Sequence, residues 1–216
     1  MTILPHLPLT SGDVELFERT TSFHGYFRLD RYRLKHRLFE GGWSGEMLRE
    51  IFERGHAVAV LPYDPNRDEV VLIEQFRPGA YAALASEWFD DGASPWLVEC
   101  IAGIIEKGEN PDDVARREMI EETGLDAGQL ARVFHYMVSP GGSTESVFLY
   151  CAQVDAANAG GVHGMTDEHE NIRVFSLKAD QAFKLMDQGR IINAMTIIRL
   201  QWLKANRDRV LAEWRP

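Results

Sequence analysis

Three carboxylates in the stretch RREMIEETG, Arg116 to Gly124, stand at i, i+3 and i+4: Glu118, Glu121 and Glu122. On a helix these positions share one face, and like charges so placed cost about 0.2–0.5 kcal/mol per pair. On a wheel of about 100° per residue starting at Val114, the three span an arc of about 100°, with Ala115 and Met119 beside it. A plain surface helix sets its apolar stripe opposite its charges. Here carboxylates and small apolar residues share a side, so the acidic face is expected to look inward, toward the strand and loop that precede it. Half-buried carboxylates need partners. Arg117, the one nearby cation facing close to the same way, cannot neutralise three of them. A hard divalent ion with oxygen ligands can, which points to Mg²⁺ or Mn²⁺; zinc is disfavoured because no Cys or His joins the cluster. Acidic helix faces are also common as solvated surface. What argues otherwise is the setting: Gly103 ends a strand, Glu109 sits just before the helix cap, and Arg117 stands next to Glu118.

The elements that must position this cluster are legible around it. WLVECIAG, Trp96 to Gly103, reads as a buried strand running into glycine, and a loop leads to a helix from about Asn110. Asn110 is a good N-cap, Pro111 suits the first helical position, Asp112 and Asp113 favour the positive helix end, and Gly124 is a natural stop. Upstream, HAVAVLPYD and DEVVLIEQFR flank the turn DPNRD (Asp64 to Asp68) as a hairpin. Residues 79–95 read as a loop with at most one helical turn. Downstream, ARVFHYMVS and ESVFLYCAQV are strands around PGGST, and an acidic loop, TDEHEN, precedes the strand IRVFSL. Two helices close the sequence. In the longer one Ile197, Leu200, Trp202, Leu203 and Leu211 are expected to face the core. Residues 14–52 form three further strands, with a change of apolar parity that predicts a bulge or bend near Asp30. Three short strands make a thin sheet that can hardly bury its own apolar face, so it is expected to pack on another layer or on a second copy of the chain. The fold class is α/β (α+β): a mixed sheet flanked by helices, with residues 1–54 as an N-terminal β domain and 55–216 as the main domain.

Composition narrows the function classes. The 216 residues are 45% hydrophobic and 26% charged, ordinary for a soluble globular protein. A net charge of −10 makes a poor general binder of nucleic acid. A phosphate substrate would have to be brought in by bound cations rather than by bulk charge. No stretch approaches the length of a membrane span, the N-terminus lacks the basic start and apolar run of a signal peptide, and Cys100 and Cys151 sit in apolar stretches as expected of buried reduced thiols. A reducing cytoplasm is the expected location.

GIIEKGENPDDVARREMIEETGL, Gly103 to Leu125, resembles the Nudix box at every specified position: Gly103, Glu109, Arg117, Glu118, Met119, Glu121, Glu122, Gly124 and Leu125. The resemblance implies a Nudix hydrolase, an α/β/α sandwich that uses divalent metal to cleave a diphosphate joined to a nucleoside. It implies that Glu118, Glu121 and Glu122 and the backbone carbonyl of Ala102 hold the metal, Mg²⁺ with Mn²⁺ as the alternative. Arg117 and Glu109 would pair and support the loop–helix corner.

Beyond the box, nearly the whole chain resembles the bacterial ADP-ribose pyrophosphatase branch of that family. This likeness implies a homodimer that exchanges the N-terminal three-stranded piece, and hydrolysis of ADP-ribose to AMP and ribose 5-phosphate by metal-activated water. Glu168 in TDEHEN would be the general base, assisted by Glu170, with Glu121 also counted at the catalytic centre. Arg77 and Arg49 would hold phosphate or terminal ribose, Tyr26 and Phe27 the adenine, Glu145 the terminal ribose, and Gly103 would lie at the substrate. Core packing is the competing role for Tyr26 and Phe27, surface exposure for the arginines, and a solvated loop for Glu168. Another nucleoside diphosphate sugar, such as GDP-mannose, is the competing substrate. A non-catalytic ADP-ribose sensor is disfavoured by the intact box, and a metal buffer by the absence of EF-hand spacing.

Overall fold

The computed structural model describes residues 9–90, 92–165 and 169–215. The chain divides into two compact units. One takes residues up to Gly55 together with Met137–Ser146; the other takes His56–Tyr136 together with the chain from Val147 onward.

In the first unit β1 (Val14–His24), β2 (Arg28–His36) and β3 (Met47–Glu53) form an antiparallel sheet in the order β1-β2-β3. The irregularity expected near Asp30 is present, but on the partner strand. β2 pairs with β3 without a break, whereas β1 shifts register between Leu16 and Glu18 and again between Thr21 and Phe23, opposite Asp30 and Leu29. Asp30 is the one buried residue of the three strands. Its carboxylate accepts from Arg19 (Nε 3.0 Å, Nη2 2.6 Å), Thr21 Oγ1 (2.8 Å) and Arg28 Nε (3.1 Å). These partners, Arg19 foremost, hold its pKa below the usual carboxylate range. The segment PGGST is tied to β3: Phe52 N donates to Gly142 O (2.8 Å), Thr144 N to Phe52 O (3.1 Å) and Thr144 Oγ1 to Glu53 Oε1 (2.6 Å).

The second unit continues with β4 (His56–Asp64), β5 (Glu69–Phe76), α1 (Pro78–Ala83), β6 (Trp96–Glu99), β7 (Ile101–Ile105), α2 (Pro111–Thr123), β8 (Leu130–Met137), β9 (Ser146–Gln153), β10 (Val162–His163), β11 (Ile172–Lys178), α3 (Ala179–Asp187) and α4 (Ala194–Trp214). Its sheet of eight strands runs β10-β11-β5-β4-β9-β8, with β6 paired to β5 and β7 to β4. The predicted hairpin is there, built on an aspartate turn. Asp64 Oδ1 accepts from Asn66 N (2.9 Å) and Arg67 N (3.0 Å), and Asp68 takes a positive φ of 55°. β4 and β5 pair at Tyr63↔Val70 and Asp64↔Glu69. Farther from the turn β7 lies against His56–Val60 and β6 against Ile73–Phe76. The box strand is therefore wedged into the open end of the hairpin.

Period-two alternation in β4 and β5 divides the core between the two faces. Val58, Val60, Val71 and Ile73 cluster with Val114, Ala115 and Met119 of α2. Leu61, Tyr63, Val70 and Leu72 cluster with Ala182, Phe183, Leu200 and Leu203 of α3 and α4. Helices thus cover both faces, the α/β/α layering expected. The stripe expected on α4 faces the core: all five residues belong to one core cluster or pack against it. Leu200 and Leu203 are buried, but Ile197, Trp202 and Leu211 are only partly so, while Arg199, Val210 and Trp214 are buried. The buried row also takes in Arg199, which its charge kept out of the expected stripe. Both cysteines are buried free thiols. Among the described residues no helix is long and apolar enough to cross a membrane.

Candidate active site

α2 begins and ends on the signals its sequence carries. Asn110 Oδ1 accepts from Asp112 N (3.0 Å), Pro111 opens the helix, and Gly124 closes it at φ 69°. Its buried arc contains Val114, Ala115, Glu118, Met119, Glu122 and Thr123. Two of the three clustered carboxylates therefore point inward with the apolar residues. Glu121, at the rim of the arc, is only half-buried.

What Glu118 meets inside is the box strand. Gly103 lies on β7 opposite Val58, and a Cβ added there would fall on the Glu118 carboxyl group. The glycine is required because its missing side chain is the space the carboxylate fills. One residue earlier on β7, Ala102 N donates to Glu122 Oε2 at 3.2 Å. Two successive residues of the strand are thus in register with two carboxylates one helical turn apart.

The charges are poorly compensated. Arg117 Nη1 lies 2.8 Å from Glu118 Oε1 and 2.9 Å from Glu121 Oε2, and Arg117 Nη2 lies 3.7 Å from Glu109 Oε2. Glu109 also accepts from Glu106 N at 2.8 Å. The expected Glu109–Arg117 pair exists but is the loosest of the three. Burial pushes Glu118 up to about 7, and the neighbouring Glu121 and Glu170 charges add to the shift against the pull of Arg117. Burial also raises Glu122 well above the ordinary carboxylate range. Glu118 and Glu170 reinforce that rise, whereas the Ala102 amide and Arg77 oppose it.

Arg77 follows β5 and is fixed from behind. Its Nε and Nη2 lie 2.9 and 2.7 Å from Glu99 Oε2, and its backbone N donates to Pro95 O at 2.9 Å. Glu99 itself is 2% exposed. It also accepts from Asn193 Nδ2 (2.9 Å) and Gln75 Nε2 (3.4 Å). Reading the sequence missed Glu99 and Asn193. The available signal was a lone carboxylate inside the apolar run WLVECIA. Glu170 Oε2 accepts from Met165 N at 3.1 Å, and its charge bears on both Glu118 and Glu122. Glu168 lies outside the described residues.

The remaining candidates belong to the first unit. Tyr26 is 85% exposed in the single chain, so its own sheet does not pack it away; its ring meets Phe27 edge-on at 4.8 Å, and Phe27 meets Phe52 at 4.9 Å. Arg49 is exposed on β3, with Nη1 donating to Leu48 O (2.8 Å). Glu145 is paired with Arg54 at 3.0 Å.

Among the described residues no three of His, Cys, Asp and Glu converge into a group that could hold a metal ion. Arg117 lies between Glu118 and Glu121 instead. The donors nevertheless fit a hard divalent cation in kind. They are oxygens only, two of them carboxylates buried on one face with a single guanidinium against them. A bound cation would offset the burial of charge that chiefly raises both groups, and the repulsion that adds to it.

The chain matches the NUDIX domain over residues 53–192. It is 48% identical over 211 residues to the ADP-ribose pyrophosphatase of Escherichia coli (strain K12), covering 97% of each chain. It is 42% identical over 203 residues to the ADP-ribose pyrophosphatase of Haemophilus influenzae, covering 94% of this chain and 91% of that one. To the GDP-mannose pyrophosphatase of Escherichia coli (strain HS) it is 34% identical over 169 residues, covering 76% of this chain and 82% of the relative. With the box strand, the carboxylate helix and the layered sheet all in place, this chain belongs to the Nudix family.

Proposed function

We propose that the protein hydrolyses the diphosphate of ADP-ribose, using water to give AMP and ribose 5-phosphate. The observation that carries this is the buried pair Glu118 and Glu122, facing β7 at Ala102 and Gly103. The likeness to relatives named for ADP-ribose, extending through the N-terminal strands, supports the choice of substrate.

Glu118, Glu121 and Glu122 and the Ala102 carbonyl would hold Mg²⁺ or Mn²⁺. Such a cation, when bound, supplies positive charge against the diphosphate and makes water easier to deprotonate. Arg117 and Glu109 keep the corner between loop and helix. Arg77 binds the diphosphate through a guanidinium already oriented by Glu99. Glu168 takes the proton of the attacking water, with Glu170 assisting. Tyr26 and Phe27 take the adenine, Arg49 and Glu145 the terminal ribose or phosphate, and the backbone at Gly103 lies against the substrate. Residues 1–54 act as an N-terminal domain exchanged in a homodimer, 55–216 act as the hydrolase domain, and the protein works in the cytoplasm without nucleic acid or membrane.

Turnover of a panel of nucleoside diphosphate sugars with Mg²⁺, read by chromatography of the products, tests the proposal. ADP-ribose is expected to have the highest kcat/KM, and faster turnover of GDP-mannose would overturn the substrate. Glu122→Gln should reduce kcat by orders of magnitude while the melting temperature is kept, because the amide matches the protonated acid that burial already favours at this position. A variant with near-normal activity would remove Glu122 from the cation site.

A further inference from the structure

We infer that Glu99 is the positioning residue for Arg77, and that Asn193 at the start of α4 sets Glu99 in turn. The inference rests on the assignment of Arg77 to the diphosphate made under Proposed function.

The order of control follows from the donors and acceptors. Asn193 Oδ1 is committed to the first turn of α4, accepting from Thr196 N (3.0 Å) and Thr196 Oγ1 (3.0 Å). That leaves its amide nitrogen to face Glu99, and Nδ2 donates to Oε1 at 2.9 Å. Thr196 Oγ1 also accepts from Cys100 N at 2.9 Å, so the helix cap and the strand residue after Glu99 are locked together. With Oε1 held by Asn193, Oε2 is presented to Arg77, which meets it with both Nε and Nη2. Glu99 therefore engages one edge of the guanidinium and leaves Nη1 for another anion. Arg77 is 37% exposed at its side chain, against 3% for Glu99. Arginine carries about 2 kcal/mol of rotamer entropy, so a guanidinium fixed in advance loses less on meeting a phosphate.

A purely structural role explains Glu99 poorly. It sits in an apolar strand, where a packed hydrophobic residue serves stability as well as a buried ion pair does. Charge alone predicts the opposite sign: a carboxylate behind Arg77 weakens the attraction for an anion, so neutralising it should improve binding. Positioning predicts that neutralising it harms binding.

Steady-state ADP-ribose hydrolysis with Mg²⁺, measured for Glu99→Gln, Arg77→Ala and the double variant, separates these roles. Glu99→Gln is expected to raise KM roughly tenfold with a much smaller change in kcat. It should add nothing further in the Arg77→Ala background. Asn193→Ser keeps a capping oxygen but removes the Nδ2 donor; it should move KM in the same direction by less, and it carries the test if Glu99→Gln does not fold. Calorimetric Mg²⁺ uptake without nucleotide should be unchanged in Glu99→Gln and Asn193→Ser. A KM equal to or below wild type in the folded variants, or an undiminished effect of Glu99→Gln on Arg77→Ala, overturns the inference. A normal Arg77→Ala overturns the assignment of Arg77 itself. An impaired Arg77→Ala beside a normal Glu99→Gln overturns the positioning alone.

Discussion

Glu118 carries a free-energy cost of ionisation that a cation would remove. Its pKa is about 7 in the folded chain against 4.5 in an unfolded one. Between those values the native state holds more protons than the unfolded state, so the contribution to stability is complete below about pH 4.5 and is lost as pH rises through 7. The difference corresponds to at most about 3 kcal/mol. In chelator at pH 8, Glu118→Gln should be more stable than wild type in urea unfolding by up to that amount, and the gap should close near pH 4.5. Equal stabilities at pH 8 would show that the carboxylate is compensated without metal. At this scale the sequence was most informative where several constraints met. Glu118 and Glu122 were legible as an inward face because the wheel put them beside Ala115 and Met119. The need for Gly103 became a steric fact only in the fold, when the space for a Cβ proved to hold Glu118. Glu99 was not legible, because its partners come from residues 75, 77 and 193, brought together by sheet and helix.

The elements whose ends carry local chemistry were read correctly. α2 has its asparagine cap, its proline and its left-handed glycine, and the β4–β5 hairpin has the Asp64 turn; each signal acts within a few residues and so survives in the sequence. Pairing between distant strands does not. Nothing local says that β6 and β7 take the inner edges of the hairpin that precedes them, and the register of Gly103 with Val58 depends on it. On α4 the expected residues do face the core, but one buried member of the row, Arg199, was not legible because it is charged. Arg199 is 1% exposed, with Nη1 against Cys100 Sγ and with Nε and Nη2 lacking hydrogen-bond partners among the described residues. Burial lowers its pKa. A buried donor left unsatisfied costs about 1–3 kcal/mol, so Arg199→Met should raise stability by a similar amount in denaturant titration. A loss of stability instead would mean that the guanidinium is compensated in solution.

The whole molecule distributes its charge unevenly. Residues 1–55 contain eight Lys or Arg and eight Asp or Glu, so the net charge of −10 belongs to the remainder of the chain. On the proposed reading, an anionic substrate would meet repulsion from that remainder which bound cations and Arg77 would offset, and turnover should rely on them more than on long-range attraction. Deleting residues 1–50 is expected to leave a monomer by light scattering with weakened affinity for ADP-ribose. A truncated chain that remains dimeric and keeps its affinity would reject the exchanged arrangement. The first unit raises a further issue for energetics. The one residue its strands bury is a carboxylate, met by two partly exposed guanidinium groups, where a domain usually encloses hydrocarbon, and exposure of buried hydrocarbon is what raises the heat capacity on unfolding. Melted as an isolated chain, this protein would fall short of the roughly 3 kcal/mol/K that 216 residues ordinarily gain on unfolding. Its N-terminal sheet would then respond to temperature much as an ion-paired surface does, flatly, and would acquire the curvature of a true core only when another apolar surface covers it.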